Sequence, residues 1–292
     1  MKWALVTPSY KLDYHQCLLM CESVDAFVQG DWHHYIIVNK VDFQLFSHLA
    51  GPRRTVLLIS DVVPKWLRYV GKLGKIRGGT IWYSWRTGAI FGWHLQQIVK
   101  LNMASYLTEE MMLLVDSDVF FVRKLPLDSL ISEKGITFCR TFVDENSNDP
   151  VMNSFNFQSM KTLGLPPTTK QVNSAHPLVV WHRQTVLDLC QFIETKHNKH
   201  WIAAIHGYRA LSEGTLYGLF IDNIIKDRSK FTKQEISLLN GMRLSPPLTK
   251  LELENFFNVI PPNTYGLVVP SPIQFDVSVL REQFNRIKQQ AV

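Results

Sequence analysis

An α/β fold with a mostly parallel sheet flanked by helices is predicted for this chain of 292 residues. Residues 3–8, 35–38 and 55–59 are short apolar runs with the length of buried strands. Segments with helical periodicity or turn residues separate these runs, and a fourth apolar run at 111–115 follows a long helical pattern. Because strands that alternate with helices pair in parallel, these observations favour one open α/β sheet.

The remaining elements follow the same alternation. After the strand at 3–8, the apolar residues Tyr14, Cys17, Leu18, Cys21, Val24 and Val28 recur at helical spacing. We predict further helices at about 42–49, 89–106, 182–195, 213–225 and 277–287, and further strands at 119–122, 136–141, 178–181 and 266–269. Residues 71–88, rich in Gly, basic and aromatic residues, are predicted to be a mobile loop beside a site, and residues 144–175 to be irregular.

The pattern contains no internal repeat and no low-complexity linker. We therefore expect a single domain over residues 1–292, in which residues 1–125 bind a ligand and a cation and residues 126–292 form a second, catalytic half.

The composition limits the partners. Hydrophobic residues make up 46% and charged residues 19% of the chain, which is the balance of a globular protein and excludes extended disorder. The formal net charge is +6, which favours polyanions such as nucleotide phosphates, acidic glycans, an anionic membrane or nucleic acid.

Targeting and cysteine signals predict a cytoplasmic protein. The apolar stretch at residues 3–8 is too short for the core of a signal peptide, and no run approaches the length of a spanning helix. Cys17, Cys21, Cys139 and Cys190 lack zinc-site spacing, so we interpret them as reduced structural thiols.

Two carboxylates at a strand end form the strongest chemical signal. Asp116 and Asp118 flank Ser117 directly after the apolar run at 111–115. The carboxyl edge of a parallel sheet is where open α/β folds bind ligands, and hard divalent cations prefer carboxylate oxygen. A cation site for Mg²⁺ or Mn²⁺ that also contacts a diphosphate is predicted, although Asp is also common in solvated turns.

The preceding helix carries a polar stripe. Trp93, Gln96, Gln97 and Lys100 fall at i, i+3, i+4 and i+7, on one helical face. An aromatic ring, two amides and a cation could contact a nucleotide sugar there. An amphipathic helix whose polar face is simply solvated fits the same spacing.

A third segment begins a helix with a carboxylate. Ser212 is predicted to be an N-cap, which puts Glu213 in the first turn, where the helix dipole favours the ionised form that a general base requires. Acidic first-turn residues are also common without any catalytic role.

Together these three segments resemble GT-A glycosyltransferases. The nearest likeness is to a bacterial group with the motifs Gly-Trp-x-x-Gln-Gln-x-x-Lys-Leu, Asp-Ser-Asp and Ser-Glu-x-x-x-Tyr-Gly, which correspond here to residues 92–101, 116–118 and 212–218. The likeness extends to Thr7, Pro8, Ser9 and Tyr10, at the position where such enzymes bind the nucleotide, and touches most of residues 1–225.

The resemblance implies a GT-A-like fold and transfer of a sugar from a nucleotide-sugar donor to a hydroxyl acceptor. It implies that Asp118 binds Mn²⁺ or Mg²⁺, that Asp116 contacts the metal or the ribose, and that Ser117, Gln96, Gln97 and Lys100 lie beside the donor. Glu213 would be the base of an inverting transfer. The implied acceptor is a bacterial surface glycan or lipopolysaccharide precursor. Residues 64–88, which are basic and aromatic and lie directly before the donor helix, are interpreted separately, as a donor or acceptor lid or as a peripheral contact to anionic lipid headgroups at the inner face of the membrane.

The sequence departs from the GT-A pattern in one respect, and two other functions stay open. Many GT-A enzymes take a further metal ligand, often His, from their C-terminal part; no His follows His206 here, and His176 is the candidate.

A nucleotidyltransferase of related fold would use the same aspartates, but usually has a Gly-rich basic segment after its first strand. A non-catalytic protein that holds glycan or membrane through residues 64–88 is the alternative from another class. We expect no nucleic-acid partner, although bases and aromatics mix there as they do on nucleic-acid surfaces.

Overall fold

A computed structural model describes residues 1–72, 80–133, 135–139, 141–142, 149–167, 172–174, 176–206, 211–234, 238–241, 249–269 and 277–290. The described strands are β1 Lys2–Pro8, β2 Val28–Gln29, β3 Asp31–Val38, β4 Arg54–Leu58, β5 Arg68–Lys72, β6 Thr80–Ser84, β7 Gly88–Phe91, β8 Met111–Val115, β9 Val119–Phe121, β10 Leu125–Pro126, β11 Ile131–Ser132, β12 Gly135–Cys139, β13 Thr141–Phe142, β14 Val172–Asn173, β15 Leu178–His182, β16 Phe231–Gln234, β17 Leu239–Gly241 and β18 Gly266–Val268.

The described α-helices are α1 Tyr14–Phe27, α2 Phe43–Phe46, α3 Ile59–Val62, α4 Gly92–Tyr106, α5 Pro150–Leu163, α6 Arg183–His197, α7 Trp201–Ile205, α8 Glu213–Asn223, α9 Lys250–Asn258 and α10 Val277–Gln290. Short 3₁₀ turns occupy Lys11–Asp13, Ser47–Leu49 and Leu127–Leu130.

A five-stranded sheet in the order β15-β8-β1-β3-β4 forms the centre of the fold. Strands β8, β1, β3 and β4 pair in parallel, so their carboxyl ends meet at one edge. Strand β15 pairs antiparallel with β8, with Leu178 opposite Val115. The predicted α/β class with a mostly parallel sheet is therefore confirmed.

Strand β1 shows why the sheet forms from so apolar a sequence. Its side chains alternate between two hydrophobic cores: Trp3 and Leu5 pack in the core that contains α1 and α10, and Ala4 and Val6 pack in the core that contains α4, α6 and α8. All four are fully buried. A strand covered on both faces needs a continuous apolar run, which is the pattern that predicted it.

The prediction of a loop at 71–88 is wrong for the described part of that range. Strands β5, β6 and β7 form a separate antiparallel sheet, in which Tyr83 lies opposite both Arg68 and Ala89. Strand β7 also occupies the beginning of the predicted helix at 89–106, so α4 begins at Gly92. The glycines concealed the alternation of buried and exposed side chains in these short strands. Residues 73–79 lie outside the described ranges.

The irregular segment predicted at 144–175 contains a helix, α5, and is wrong to that extent. Asp149 caps the helix by accepting from the backbone N–H groups of Val151 and Met152, and Pro150 occupies its first position. Gly164 ends the helix at φ +64°, a left-handed conformation that glycine adopts without strain. These start and stop signals were present in the sequence.

Several further features bear on the predictions. Cys17, Cys21 and Cys190 are free thiols. None of the helices in the described part of the chain has the length and apolar character that a bilayer crossing requires. The single-domain organisation and its two halves stay a prediction.

Candidate active site

A cleft of about 280 Å³ opens at the carboxyl ends of β1, β3 and β8, beside the first turn of α4. Its lining comes from six separate segments of the chain, brought together by the parallel sheet. The lining residues are Pro8, Ser9, Tyr10, Asp13, Ile37, Asn39, Ile59, Thr80, Gly92, Trp93, Leu95, Gln96, Val99, Asp116, Ser117 and Asp118.

The turn at 116–118 is fixed by backbone hydrogen bonds on both sides. The N–H of Asp116 donates to the carbonyl of Pro177 at 2.9 Å, and the N–H of Val269 donates to the carbonyl of Asp118 at 3.1 Å. A further bond from Val119 N–H to the Asp116 carbonyl, at 3.1 Å, closes the turn. Neighbouring strands on either side therefore hold the two carboxylates at the cleft, as the strand-end pattern predicted.

The cleft concentrates negative charge. Among the described residues that line it are three carboxylates, Asp13, Asp116 and Asp118, and no Lys or Arg. The Ser117 hydroxyl donates to Asp13 Oδ2 at 3.3 Å, which brings the 3₁₀ turn after β1 against the 116–118 turn. These carboxylates repel an anionic ligand unless a cation offsets their charge.

Among the carboxylates that line the cleft, Asp118 is the one whose ionised form is most disfavoured. Burial, followed by the nearby charges of Asp116 and Asp13, raises the pKa of Asp118 to about 7. Its buried Oδ1 atom has no hydrogen-bond partner among the described residues. A carboxylate oxygen buried without a partner is destabilising unless a donor or a cation satisfies it.

Lys100 lies between Asp116 and Glu213. Its Nζ atom is 2.8 Å from Oδ1 of Asp116 and 2.9 Å from Oε1 of Glu213, and only 7% of its side chain is exposed. Burial by itself would lower the pKa of the Lys100 ammonium, but the two carboxylates outweigh it and raise that pKa above its usual value. Lys100 is therefore a permanent cation that joins α4 to the 116–118 turn and to α8.

The first turn of α4 forms one wall of the cleft. Trp93 and Gln96 line it, and Trp93 also stacks on Phe155, with ring centroids 5.4 Å apart and planes inclined by 22°. The N-cap residue Phe91 provides no side-chain acceptor for the first-turn N–H groups. A helix N-terminus of this kind favours a negatively charged ligand.

The other two residues of the predicted polar stripe on α4, Gln97 and Lys100, do not line the cleft. Gln97 is buried, and its Oε1 accepts from the backbone N–H of Glu213 at 2.9 Å. Gln97 and Lys100 therefore contact the start of α8, whereas Trp93 and Gln96 face the cleft. The four positions span an arc of the helix wide enough to meet two neighbours, which spacing alone could not separate.

Glu213 starts α8 as predicted, since Ser212 Oγ accepts from Thr215 N–H at 3.2 Å. The Glu213 carboxylate is buried and paired with Lys100, and it is not among the residues that line the cleft. Thr7 is also buried behind the lining: its hydroxyl donates to the Val115 carbonyl at 2.8 Å and ties β1 to β8.

Eight of the twelve predicted site residues line the cleft, and four do not. The lining ones are Pro8, Ser9, Tyr10, Trp93, Gln96, Asp116, Ser117 and Asp118; Thr7, Gln97, Lys100 and Glu213 lie behind them.

Sequence reasoning missed Asp13, Asn39 and Thr80 in the lining. Asn39 immediately follows the third strand, so the strand-end argument applied to Asp116 could have found it. Its Oδ1 accepts from the Trp82 indole N–H at 3.0 Å, which docks the β5–β7 sheet on the cleft. No motif or strand-end pattern in the sequence singled out Asp13 or Thr80.

A complete set of protein metal ligands is not found. Within the described ranges, no group of three or more His, Cys, Asp and Glu side chains has an arrangement that could hold a metal ion. His176, the candidate further ligand, is not among the residues that line the cleft. Protein ligands to any cation here would be few, and further oxygens would come from a ligand and from water.

Comparisons with known proteins give one family and two similar folds. The model of a family described as a family of unknown function, DUF6492, matches residues 4–240. No curated protein matches the sequence. The apo crystal structure of mouse xyloside xylosyltransferase 1 is similar at a TM-score of 0.48 and 8% identity, over 94% of this chain and 100% of that one. The galactosyltransferase LgtC, crystallised with donor and acceptor sugar analogues, is similar at a TM-score of 0.49 and 10% identity, over 99% of this chain and 96% of that one.

Proposed function

The chain belongs to the DUF6492 family, and we propose that it is a metal-dependent glycosyltransferase that moves a sugar from a nucleotide-sugar donor to a hydroxyl acceptor. One observation carries the proposal. Among the described residues, the cleft at the carboxyl edge of the sheet is lined by three carboxylates and no Lys or Arg, yet it adjoins the N-terminus of α4, where the N-cap residue makes no side-chain cap hydrogen bond. Negative side chains and an anion-binding helix end are compatible when a cation lies between them and a phosphate-bearing ligand.

Asp118 and Asp116 would hold the cation. The half-buried Asp118 has an Oδ1 atom without a partner among the described residues, and its pKa is raised to about 7, so the carboxylate gains most from a cation. Lys100 already holds one oxygen of Asp116, which leaves the other side of that carboxylate for the cation or the ribose. When bound, Mn²⁺ or Mg²⁺ would neutralise the charge that develops on a departing nucleoside diphosphate.

The other lining residues would hold the donor. Pro8, Ser9 and Tyr10 would border the nucleotide after β1, with Ser117 beside it. Trp93 and Gln96 would contact the sugar or the diphosphate from α4. A donor held in this way keeps its anomeric carbon in a fixed orientation, and orientation is a large part of the catalysis of group transfer.

The proposed chemistry is a single displacement with inversion. Glu213 would accept the proton of the acceptor hydroxyl; its Oε1 atom now lies 2.9 Å from Lys100 Nζ. Because its carboxylate faces Lys100 behind the cleft lining, Glu213 must turn toward the cleft when the acceptor binds. Lys100 donates to the Glu213 carboxylate, and Gln97 accepts from the Glu213 backbone N–H. These two residues would then position Glu213 rather than touch the donor. On the motif resemblance, the acceptor would be a surface glycan or lipopolysaccharide precursor.

Thermal unfolding with nucleoside diphosphates tests the proposal. A matching diphosphate should raise the unfolding temperature only when Mn²⁺ or Mg²⁺ is present, on the order of 5 °C at about 100 times Kd. The Asp118→Ala variant should lose this shift, whereas Asp128→Ala, which removes an exposed aspartate that does not line the cleft, should keep it. A stabilisation that is equal with EDTA would exclude the cation.

Turnover assays separate the alternatives. A glycosyltransferase should slowly release nucleoside diphosphate from the matching nucleotide sugar even without acceptor. Release of pyrophosphate from a nucleoside triphosphate and a sugar phosphate would instead identify a nucleotidyltransferase. Metal-dependent binding without either release would leave a non-catalytic binding protein.

A further inference from the structure

The antiparallel β5–β7 sheet has an outward face rich in aromatic side chains. Trp82 and Ile90 face inward and are buried, whereas Tyr83 and Phe91 on the same strands are exposed, as the two-residue period of a strand requires. Arg68 lies opposite Tyr83 on the exposed face. Large exposed apolar side chains grouped in this way usually mark a binding surface.

The turn between β6 and β7 extends this face. Trp85 is 79% exposed, more than any other large hydrophobic side chain among the described residues. The Arg86 guanidinium lies 5.0 Å from the Trp85 ring and 5.3 Å from the Trp66 ring. Nothing in the described fold covers this pair of an indole and a guanidinium. We define Arg68, Tyr83, Trp85, Arg86 and Phe91 as the aromatic face.

The positive charge of the chain is concentrated in the same segment. Counted from the sequence, residues 61–93 contain six basic residues and one acidic residue, so this segment accounts for five of the net six positive charges. The remaining residues are nearly neutral in sum. In sequence, most of the basic surplus therefore belongs to the segment that contains the aromatic face and not to the rest of the chain.

The aromatic face adjoins the cleft. Thr80, the first residue of β6, lines the cleft, and β7 ends at Phe91 directly before Gly92 and Trp93, which also line it. The sheet that carries the aromatic face therefore also borders the cleft.

We propose that the aromatic face docks on an anionic lipid surface. Tyr and Trp side chains are enriched where a protein meets the boundary of a bilayer, because one part of the ring is apolar and the other polar. Nearby Lys and Arg side chains add attraction to acidic headgroups. The inference rests on the proposed function in one respect: a lipid-linked acceptor would be presented to the cleft by this docking.

Co-sedimentation with vesicles tests the docking. The full-length protein should bind vesicles in which about a third of the phosphatidylcholine is replaced by phosphatidylglycerol, and bind far less to phosphatidylcholine alone. Arg86→Ala should lower the partition coefficient about fivefold, the effect of one basic residue near the surface. Trp85→Ala should lower it at least as much, because it removes the largest exposed apolar side chain of the face.

Matched controls lie outside the segment. Phe157→Ala removes an aromatic side chain that is 55% exposed on α5, and Lys124→Ala removes an exposed cation; both should bind vesicles like the native protein. Asp118→Asn should also bind normally, so loss of the cation site and loss of docking are separate results. Circular dichroism spectra of all variants should overlay.

Three outcomes would overturn the proposal. The first is equal binding to neutral and anionic vesicles. The second is native-like binding by both Trp85→Ala and Arg86→Ala. The third is the absence of vesicle binding together with binding of a short single-stranded RNA that these two substitutions weaken, which would make the face a nucleic-acid surface.

Discussion

The Nζ atom of Lys100 lies 2.8 Å from Oδ1 of Asp116, so a side chain from α4 reaches a carboxylate at the end of β8. The same ammonium holds Glu213 at 2.9 Å. Two carboxylates 97 positions apart in the chain therefore share one buried cation. A buried cation of this kind fixes the relative positions of its partners, and its removal leaves buried charge uncompensated.

Replacing Lys100 should destabilise the fold strongly. Lys100→Met keeps most of the side-chain volume but leaves the buried Glu213 carboxylate without its cation, which should cost about 3–5 kcal/mol in the free energy of unfolding. Urea denaturation at neutral pH measures this. The double variant Lys100→Met with Glu213→Gln should recover part of the loss, because the unpaired charge is gone. A single variant as stable as the native protein would contradict the assignment.

Asp118 should make the metal-free protein less stable as the pH rises. Folding raises the pKa of this acid from 3.8 to about 7, so the folded state favours the protonated form. The stability from this group is complete below about pH 4 and is lost as the pH rises toward 7. Asp118→Asn imitates the protonated form at every pH and should be more stable than the native protein at pH 8, by about 4 kcal/mol.

The measurement is thermal or urea unfolding of both proteins in EDTA across pH 4.5–8. The advantage of Asp118→Asn should shrink toward zero at the acid end. If the two stability curves run parallel over this range, folding does not raise the pKa of Asp118.

Glu213→Gln should separate catalysis from binding. If Glu213 is the proton acceptor, kcat should fall about 10²–10⁴-fold, while the affinity for a nucleoside diphosphate with Mn²⁺ stays close to native. Gln has nearly the same shape as Glu, and Lys100 keeps Asp116 as a partner. Steady-state kinetics and titration of the diphosphate provide the two readouts. Acceptor transfer at nearly the native rate would assign the base elsewhere.

Gln96 and Gln97 are adjacent on α4 and should behave differently. Gln96 lines the cleft, so Gln96→Ala should weaken binding of the diphosphate with little change in stability. Gln97 accepts the backbone N–H of Glu213, so Gln97→Ala should cost about 1–3 kcal/mol in stability by leaving that buried N–H unsatisfied. Calorimetric titration and thermal unfolding of the two variants test the pair. Identical effects on binding would mean that both amides contact the ligand.

The sequence determined the sheet, because short continuous apolar runs at 3–8 and 111–115, alternating with helical patterns, are typical of strands buried on both faces. It also located the Asp116 and Asp118 carboxylates, since polar residues directly after such strands must lie at the carboxyl edge. The cap at Ser212 followed from local chemistry in the same way. These predictions depended only on neighbours in the chain.

Tertiary structure decided which side chains share a cleft. Asp13 and Thr80 join the lining, and Glu213 turns to Lys100, through contacts between segments far apart in sequence. Helical spacing put Gln96 and Gln97 on one stripe, but the packing of α8 against α4 sends one amide to the cleft and the other to a backbone N–H. Periodicity gives the direction of a side chain relative to its own helix, whereas its partner depends on which element packs there.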